Sequence, residues 1–131
     1  IMALRREYKL QGVHPDLIEV IKDAAKVYNI VVLEGLRDIE RQQELYNTGK
    51  SKTMNSKHLK QEDGYGHAVD IAPDPIDWSD REQFVGLSFF LKGLAYAKGI
   101  DLRIGTDWDG DLNIKEHSFF DGPHIELKKP R

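Results

Sequence analysis

The chain contains no cysteine. Disulfides, thiolate metal sites and cysteine nucleophiles are therefore excluded, and any metal must be held by His, Asp or Glu. No apolar run approaches the roughly 20 residues of a membrane span, so no membrane partner is expected. The first ten residues carry Arg5, Arg6 and Lys9 but no apolar stretch of signal-peptide length. The expectation is that the chain has no export signal of its own. Positive charge is not in excess either: 19 basic against 22 acidic residues give a net charge of −3. That leaves no footprint for nucleic acid, which calls for a basic patch or stripe. Internal repeats and low-complexity segments are missing too.

What remains is an ordinary globular composition, 40% hydrophobic and 31% charged over 131 residues. This suits one domain spanning 1–131, expected to act as a monomer. A chain of this length buries about two thirds of its unfolded surface and needs no covalent staple.

His14-Pro15-Asp16 opens a helical pattern, with proline suited to the first helical position. Leu17, Ile18, Ile21, Ala24, Ala25 and Tyr28 follow at helical spacing, and Asn29 is a stop. The β-branched run from Ile30 to Leu33 predicts a buried strand. After a turn at Gly35–Asp38, Asp38 can cap a helix through about Asn47 that ends at Gly49. Lys50 to Gly66 is polar and aperiodic and reads as a loop. Ala68–Ala72 predicts a strand stopped by Pro73 and Pro75, and Ser79-Asp80 opens the longest helix, about 81–98, closed by Gly99. Leu102–Ile104 is a brief strand, 106–120 an acidic and aromatic loop, and His124–Leu127 the last strand. The order α-β-α-β-α-β-β predicts an α+β domain: a small antiparallel sheet with helices packed mainly on one side.

The residues that can do chemistry lie in the loops and at strand ends. Of the five histidines, His124 begins the last strand three residues after Asp121, across Gly122-Pro123. The two can face one pocket, as a metal-bound imidazole and a proton-accepting carboxylate must. A turn aspartate with a solvated histidine fits the same spacing. Asp70 sits between Val69 and Ile71, where a carboxylate is costly unless paired or metal-bound. If its neighbours face the core, Asp70 faces the other side of the sheet, which could simply be wet. His58 can reach Asp70 from the long loop. His67, three residues before Asp70, points to the opposite face of a regular strand, and His117 is a weaker candidate. Arg37, at a strand-to-helix turn, can hold a carboxylate or polarise a carbonyl, or form an ion pair with Glu34, Asp38 or Glu40. Asp107, Asp109 and Asp111 alternate like the start of a calcium loop, without the rest of an EF-hand's spacing. They read as a solvated acidic turn or as a Ca2+ site.

Taken together, three segments resemble a known zinc signature: Ser56-Lys57-His58, Gly66-His67-Ala68-Val69-Asp70-Ile71 and Asp121-Gly122-Pro123-His124-Ile125-Glu126-Leu127. The signature is that of the VanY-type D,D-carboxypeptidase and L-alanyl-D-glutamate endopeptidase family. Glu34-Gly35-Leu36-Arg37, Ile76-Asp77-Trp78 and Gly105-Thr106-Asp107-Trp108 resemble its phage endolysin branch.

The resemblance implies the Hedgehog/DD-peptidase fold and one catalytic Zn2+ held by His58, Asp70 and His124. It implies Asp121 as general base, Arg37 as oxyanion or substrate ligand, and Ser56 and Trp108 as substrate contacts. The implied activity is hydrolysis of the L-Ala–D-Glu bond of peptidoglycan stem peptides. The protein would wait in the host cytoplasm until released to the periplasm and cell wall. A D-Ala–D-Ala carboxypeptidase, or a non-catalytic zinc-containing wall-binding module, are the alternatives. The chain departs from the family in one place. Asp70 follows His58 by twelve positions where relatives have seven, so five residues are extra within Leu59–Tyr65. Loop length costs little closure entropy, so such an insertion can bulge outward and leave the ligands in place; His67 is the alternative ligand.

Overall fold

The computed structural model describes residues 3–113 and 120–130. Five strands form one sheet: β1 (Leu4–Arg5), β2 (Ile30–Glu34), β3 (Ala68–Pro73), β4 (Asp101–Ile104) and β5 (His124–Lys129), in the order β1-β2-β3-β5-β4. Three helices accompany it, α1 (Pro15–Ala24), α2 (Ile39–Asn47) and α3 (Arg81–Ala97), with a short 3-10 helix at Glu7–Leu10. The expected α+β class holds. The sheet is antiparallel except at its edge, where β1 pairs parallel with β2. A two-residue strand carries too little pattern to be read from sequence.

The helix starts follow their caps. His14 Nδ1 accepts the Asp16 N–H at 3.0 Å, with Pro15 at the first helical position. Asp38 accepts from Arg41 N at 2.7 Å and Asp80 from Gln83 N at 3.3 Å, satisfying donors that the first turn leaves unpaired. The first helix ends at Ala24 rather than near Tyr28, and the remaining apolar positions continue in turns.

Strand alternation sorts the sheet into two faces. Ile30, Val32, Val69, Ile71, Leu102, Ile104, Ile125 and Leu127 point to one side. There they pack against Leu17, Val20, Ile21 and Ala24 of α1 and Leu87, Leu91 and Ala95 of α3. Each such side chain contributes roughly 1.5–3 kcal/mol by leaving water. The opposite face carries a smaller apolar group, Val31, Ala72 and Phe84, edged by Leu33, Ile76 and Phe120. Beside it the same alternation turns Asp70, His124 and Glu126 outward from the main core. Asp70 is paired in register with His124 on β5 and with Glu34 on β2. The core thus holds one face rigid while the other presents chemistry.

Candidate metal centre

Three side chains converge on this second face. His58 Nε2 lies 3.4 Å from Asp70 Oδ1, and His124 Nδ1 lies 3.5 Å from the same oxygen. One ligand atom from each residue falls within 4.8 Å of the others, close enough to share a single ion. Neither imidazole contact is a well-formed hydrogen bond, so Asp70 Oδ1 is buried without a hydrogen-bond partner. An orphaned buried carboxylate oxygen costs several kcal/mol unless a cation satisfies it. Two nitrogens and one oxygen, leaving a fourth position open, make a donor set suited to catalytic zinc. The residues present therefore fit a divalent ion.

Both imidazoles are oriented from behind. His58 Nδ1 donates to the Gly35 carbonyl at 2.9 Å, which leaves the Nε2 lone pair facing Asp70. A Cβ at Gly35 would collide with the Lys9 carbonyl, so glycine is needed for that carbonyl to stand where it does. The Ser56 hydroxyl accepts the His58 backbone N–H at 3.1 Å. His124 Nε2 donates to Glu126 Oε1 at 2.8 Å, which leaves Nδ1 facing Asp70. Trp108 stacks on the other face of His124, with ring centroids 5.1 Å apart. Such outer partners fix tautomer and ring angle.

Glu126 is the residue the sequence reading missed. The signal was available, because alternation in a strand puts it on the same face as His124. It is 6% exposed, and Arg103 Nη1 lies 3.8 Å from its other oxygen. Glu126→Gln is expected to weaken zinc binding about tenfold and Glu126→Ala up to about a hundredfold, measured by competition with a chromophoric chelator. Unchanged affinity in both variants would show that His124 needs no such partner.

The electrostatics follow from this packing. Burial works against charge on Asp70, but the imidazoles of His124 and His58 outweigh it and hold the carboxyl well below the usual range. Burial likewise opposes charge on His124, yet Asp70 and Glu126 push its pKa up to about 9 in the metal-free chain. Asp121 goes the other way. Burial and the Asp70 charge raise its carboxyl above the ordinary value, while His124, His58 and Arg37 pull it back. Its backbone is set by Gly105, which accepts from Asp121 N at 2.9 Å and donates to the His124 carbonyl at 2.8 Å. A Cβ at Gly105 would overlap the Asp121 carbonyl oxygen.

Arg37 is an interior residue here. It grips Glu34 through two hydrogen bonds of 2.8 Å and donates a third, also 2.8 Å, to Gln42 Oε1. Gln42 is fully buried on α2 and itself donates to Ser51 Oγ and the Thr53 carbonyl. Of the ion pairs open to Arg37, the one with Glu34 is the one made, and the guanidinium's charge still reaches Asp70 and Asp121.

The remaining candidates lie elsewhere. His67 is buried against Asp63, with Nε2 2.7 Å from Oδ2, and its ring meets that of His14 edge-on. It does not join the group around Asp70. His117 lies outside the described residues. Asp107, Asp109 and Asp111 bring one oxygen each within 4.8 Å of the others, and their carboxylates also accept backbone N–H groups of their own turn.

Over residues 2–128 the sequence matches the family described as phage L-alanyl-D-glutamate peptidase. It is 30% identical over 101 residues to the L-alanyl-D-glutamate peptidase of Listeria phage A118, covering 75% of this chain and 30% of that protein. It is 31% identical over 122 residues to the peptidoglycan L-alanyl-D-glutamate endopeptidase CwlK of Bacillus subtilis strain 168, covering 83% of this chain and 68% of CwlK. The chain thus spans under a third of the phage relative's length. In structure it is similar to the L-Ala D-Glu endopeptidase ChiX of Serratia marcescens, with a TM-score of 0.76 and 34% identity over 94% of this chain and 86% of ChiX. With the match running through nearly the whole chain and the fold held in common, this protein belongs to the phage L-alanyl-D-glutamate peptidase family.

Proposed function

We propose that the chain is a single-domain, zinc-dependent endopeptidase that hydrolyses the L-Ala–D-Glu bond of peptidoglycan stem peptides. The observation that carries the metal part of this reading is the buried Asp70 oxygen, unsatisfied between two imidazoles that each turn one ring nitrogen toward it. The bond specificity is carried over from the printed activities of the relatives.

His58, Asp70 and His124 would hold the ion. When bound, it supplies Lewis acidity at the scissile carbonyl and makes nearby water acidic enough to ionise near neutral pH. Asp121 takes the proton from the attacking water and passes it to the departing D-Glu amine. Its raised pKa suits both halves of that transfer. Arg37 has five N–H donors, three of them engaged with Glu34 and Gln42. The other two stay available to orient a substrate oxygen, and the bidentate grip keeps the guanidinium from swinging. Trp108 restrains His124 and forms a wall beside it. Ser56, whose hydroxyl accepts the His58 amide, would add a contact to the peptide beside that ligand.

The test is digestion of purified peptidoglycan with the zinc-loaded protein, followed by identification of new termini. New N-terminal D-Glu, abolished by chelator and restored by zinc, is the expected result. Released D-Ala would make the protein a carboxypeptidase instead, and binding without cleavage would make it a wall-binding module.

A further inference from the structure

Beside His58 the sheet edge opens into a cavity of about 640 Å3, within the range of small-ligand sites. Its lining includes Lys9, Gly12, Glu34, Gly35, Lys60 and Gly64. The cavity adjoins the metal-binding group through two of these residues. The Gly35 carbonyl holds His58 Nδ1, and Glu34 is paired in register with Asp70.

Its charge is unbalanced. Glu34 is the one acidic residue in the lining, and Arg37 already grips both of its oxygens. Lys9 Nζ donates to the Leu33 carbonyl at 3.1 Å, which fixes its ammonium there without neutralising it. Lys60 is exposed and makes no ion pair among the described residues. The cavity therefore presents two uncompensated ammonium groups.

The segment that follows His58 puts Lys60 in this place. Lys60 and Gly66 form an antiparallel bridge, and Gln61 N donates to the Tyr65 carbonyl at 2.9 Å, closing a small hairpin. Asp63 pins the hairpin to the body of the protein. Its Oδ2 lies 2.7 Å from His67 Nε2 and 3.7 Å from His14 Nε2. This hairpin is thus a clasped element that carries a cation to the cavity rim.

We infer that this cavity binds the carboxylate at the far end of the diamino acid that follows D-Glu, so that the chain selects diaminopimelate stems over lysine stems. This rests on the function proposed above. In a stem peptide the residue after D-Glu lies a few bonds beyond the scissile amide, a span that would let it reach a pocket whose lining adjoins His58 and Asp70. A diaminopimelate side chain ends in both a carboxylate and an ammonium. A lysine side chain ends in an ammonium alone and would bring a third positive charge into the cavity. Like charges brought together oppose binding, whereas a carboxylate between two ammonium groups favours it. For a partly exposed site the difference is on the order of tenfold.

The experiment compares two synthetic peptides, L-Ala-γ-D-Glu-diaminopimelate and L-Ala-γ-D-Glu-L-Lys, with the zinc-loaded protein. The expected kcat/KM is about tenfold higher for the first, through KM. Lys60→Glu, with Lys60→Gln as a milder partner, should bring the ratio near one by raising KM for the diaminopimelate peptide and leaving kcat in place. In parallel, γ-D-Glu-diaminopimelate is titrated into the zinc-loaded protein by calorimetry, and Lys60→Glu should weaken its binding. Cleavage of both peptides at equal efficiency, or a ratio unmoved in the Lys60 variants, overturns the cavity assignment and leaves the endopeptidase reading standing. If neither peptide is cut but the dipeptide binds in a Lys60-dependent manner, the endopeptidase reading fails and the cavity assignment survives.

Discussion

Asp70→Ala is expected to lose the metal at micromolar free zinc, and with it activity by about 10³-fold or more. Metal-assisted charge stabilisation contributes several kcal/mol to such a reaction, and each 1.36 kcal/mol is a factor of ten. Asp70 would supply the anionic ligand of the group, and both imidazoles approach its one buried oxygen, at 3.4 and 3.5 Å. Without it two imidazoles remain, held by Gly35 and Glu126, and no carboxylate stands between them to balance a dication.

The same substitution removes a pH signature. In the metal-free chain Asp70 has a depressed pKa, so its contribution to stability is present above the ordinary carboxylate value near 3.9 and fades as pH falls through its folded value. His124 has a raised pKa, so its contribution is complete below about 6.5 and fades as pH climbs through about 9. Metal must displace the His124 proton, so zinc affinity should rise up to about tenfold per pH unit between 6.5 and 9. Chelator-buffered zinc titrations at pH 6.5 and 8.5, with denaturant unfolding of the metal-free protein, measure both trends. If Asp70→Ala keeps stoichiometric zinc and more than a tenth of wild-type activity, the metal group is misassigned.

Why Asp70 was legible while Glu126 was missed is a matter of local against non-local information. The Val69-Asp70-Ile71 alternation states from sequence alone that a carboxylate faces away from the core, because a strand's period is two. The elements around it were legible for similar reasons: Pro15, Asp38 and Asp80 mark helix starts, and the Ile30–Leu33 run marks a central strand. Register is different. That His124 stands opposite Asp70 follows from hairpins and crossovers distant in the chain, and only the resemblance to a known signature pointed there. Glu126 was passed over because HIEL was read for its apolar residues, although the other half of the alternation carries the second polar partner. Gln42 gave no signal, since a glutamine in an exposed-looking helix usually faces water; here Arg37 buries it. The Asp63 clasp joins residues from three separated segments, His14, Asp63 and His67, and no single segment reveals it. It ties the hairpin that follows His58 to the body of the protein.

Asp121→Asn is expected to keep zinc and lose roughly 10²–10⁴-fold in kcat, the usual contribution of a positioned proton-transfer group. Asparagine matches aspartate in shape, so the turn should persist: the backbone links from Asp121 N to Gly105 and from His124 N to the Asp121 carbonyl do not involve the side chain. What disappears is the proton acceptor. Burial and the charge of Asp70 raise the Asp121 pKa, which makes the carboxylate a stronger base than one in water, while His124, His58 and Arg37 limit the rise. Activity should therefore rise with pH as this carboxyl ionises, and that acid limb should vanish from the residual activity of the variant. Zinc content by elemental analysis and the kcat–pH profile separate this role from a structural one. Loss of zinc in Asp121→Asn would mean that Asp121 shapes the metal site, and full activity would mean that the proton leaves the water by another route.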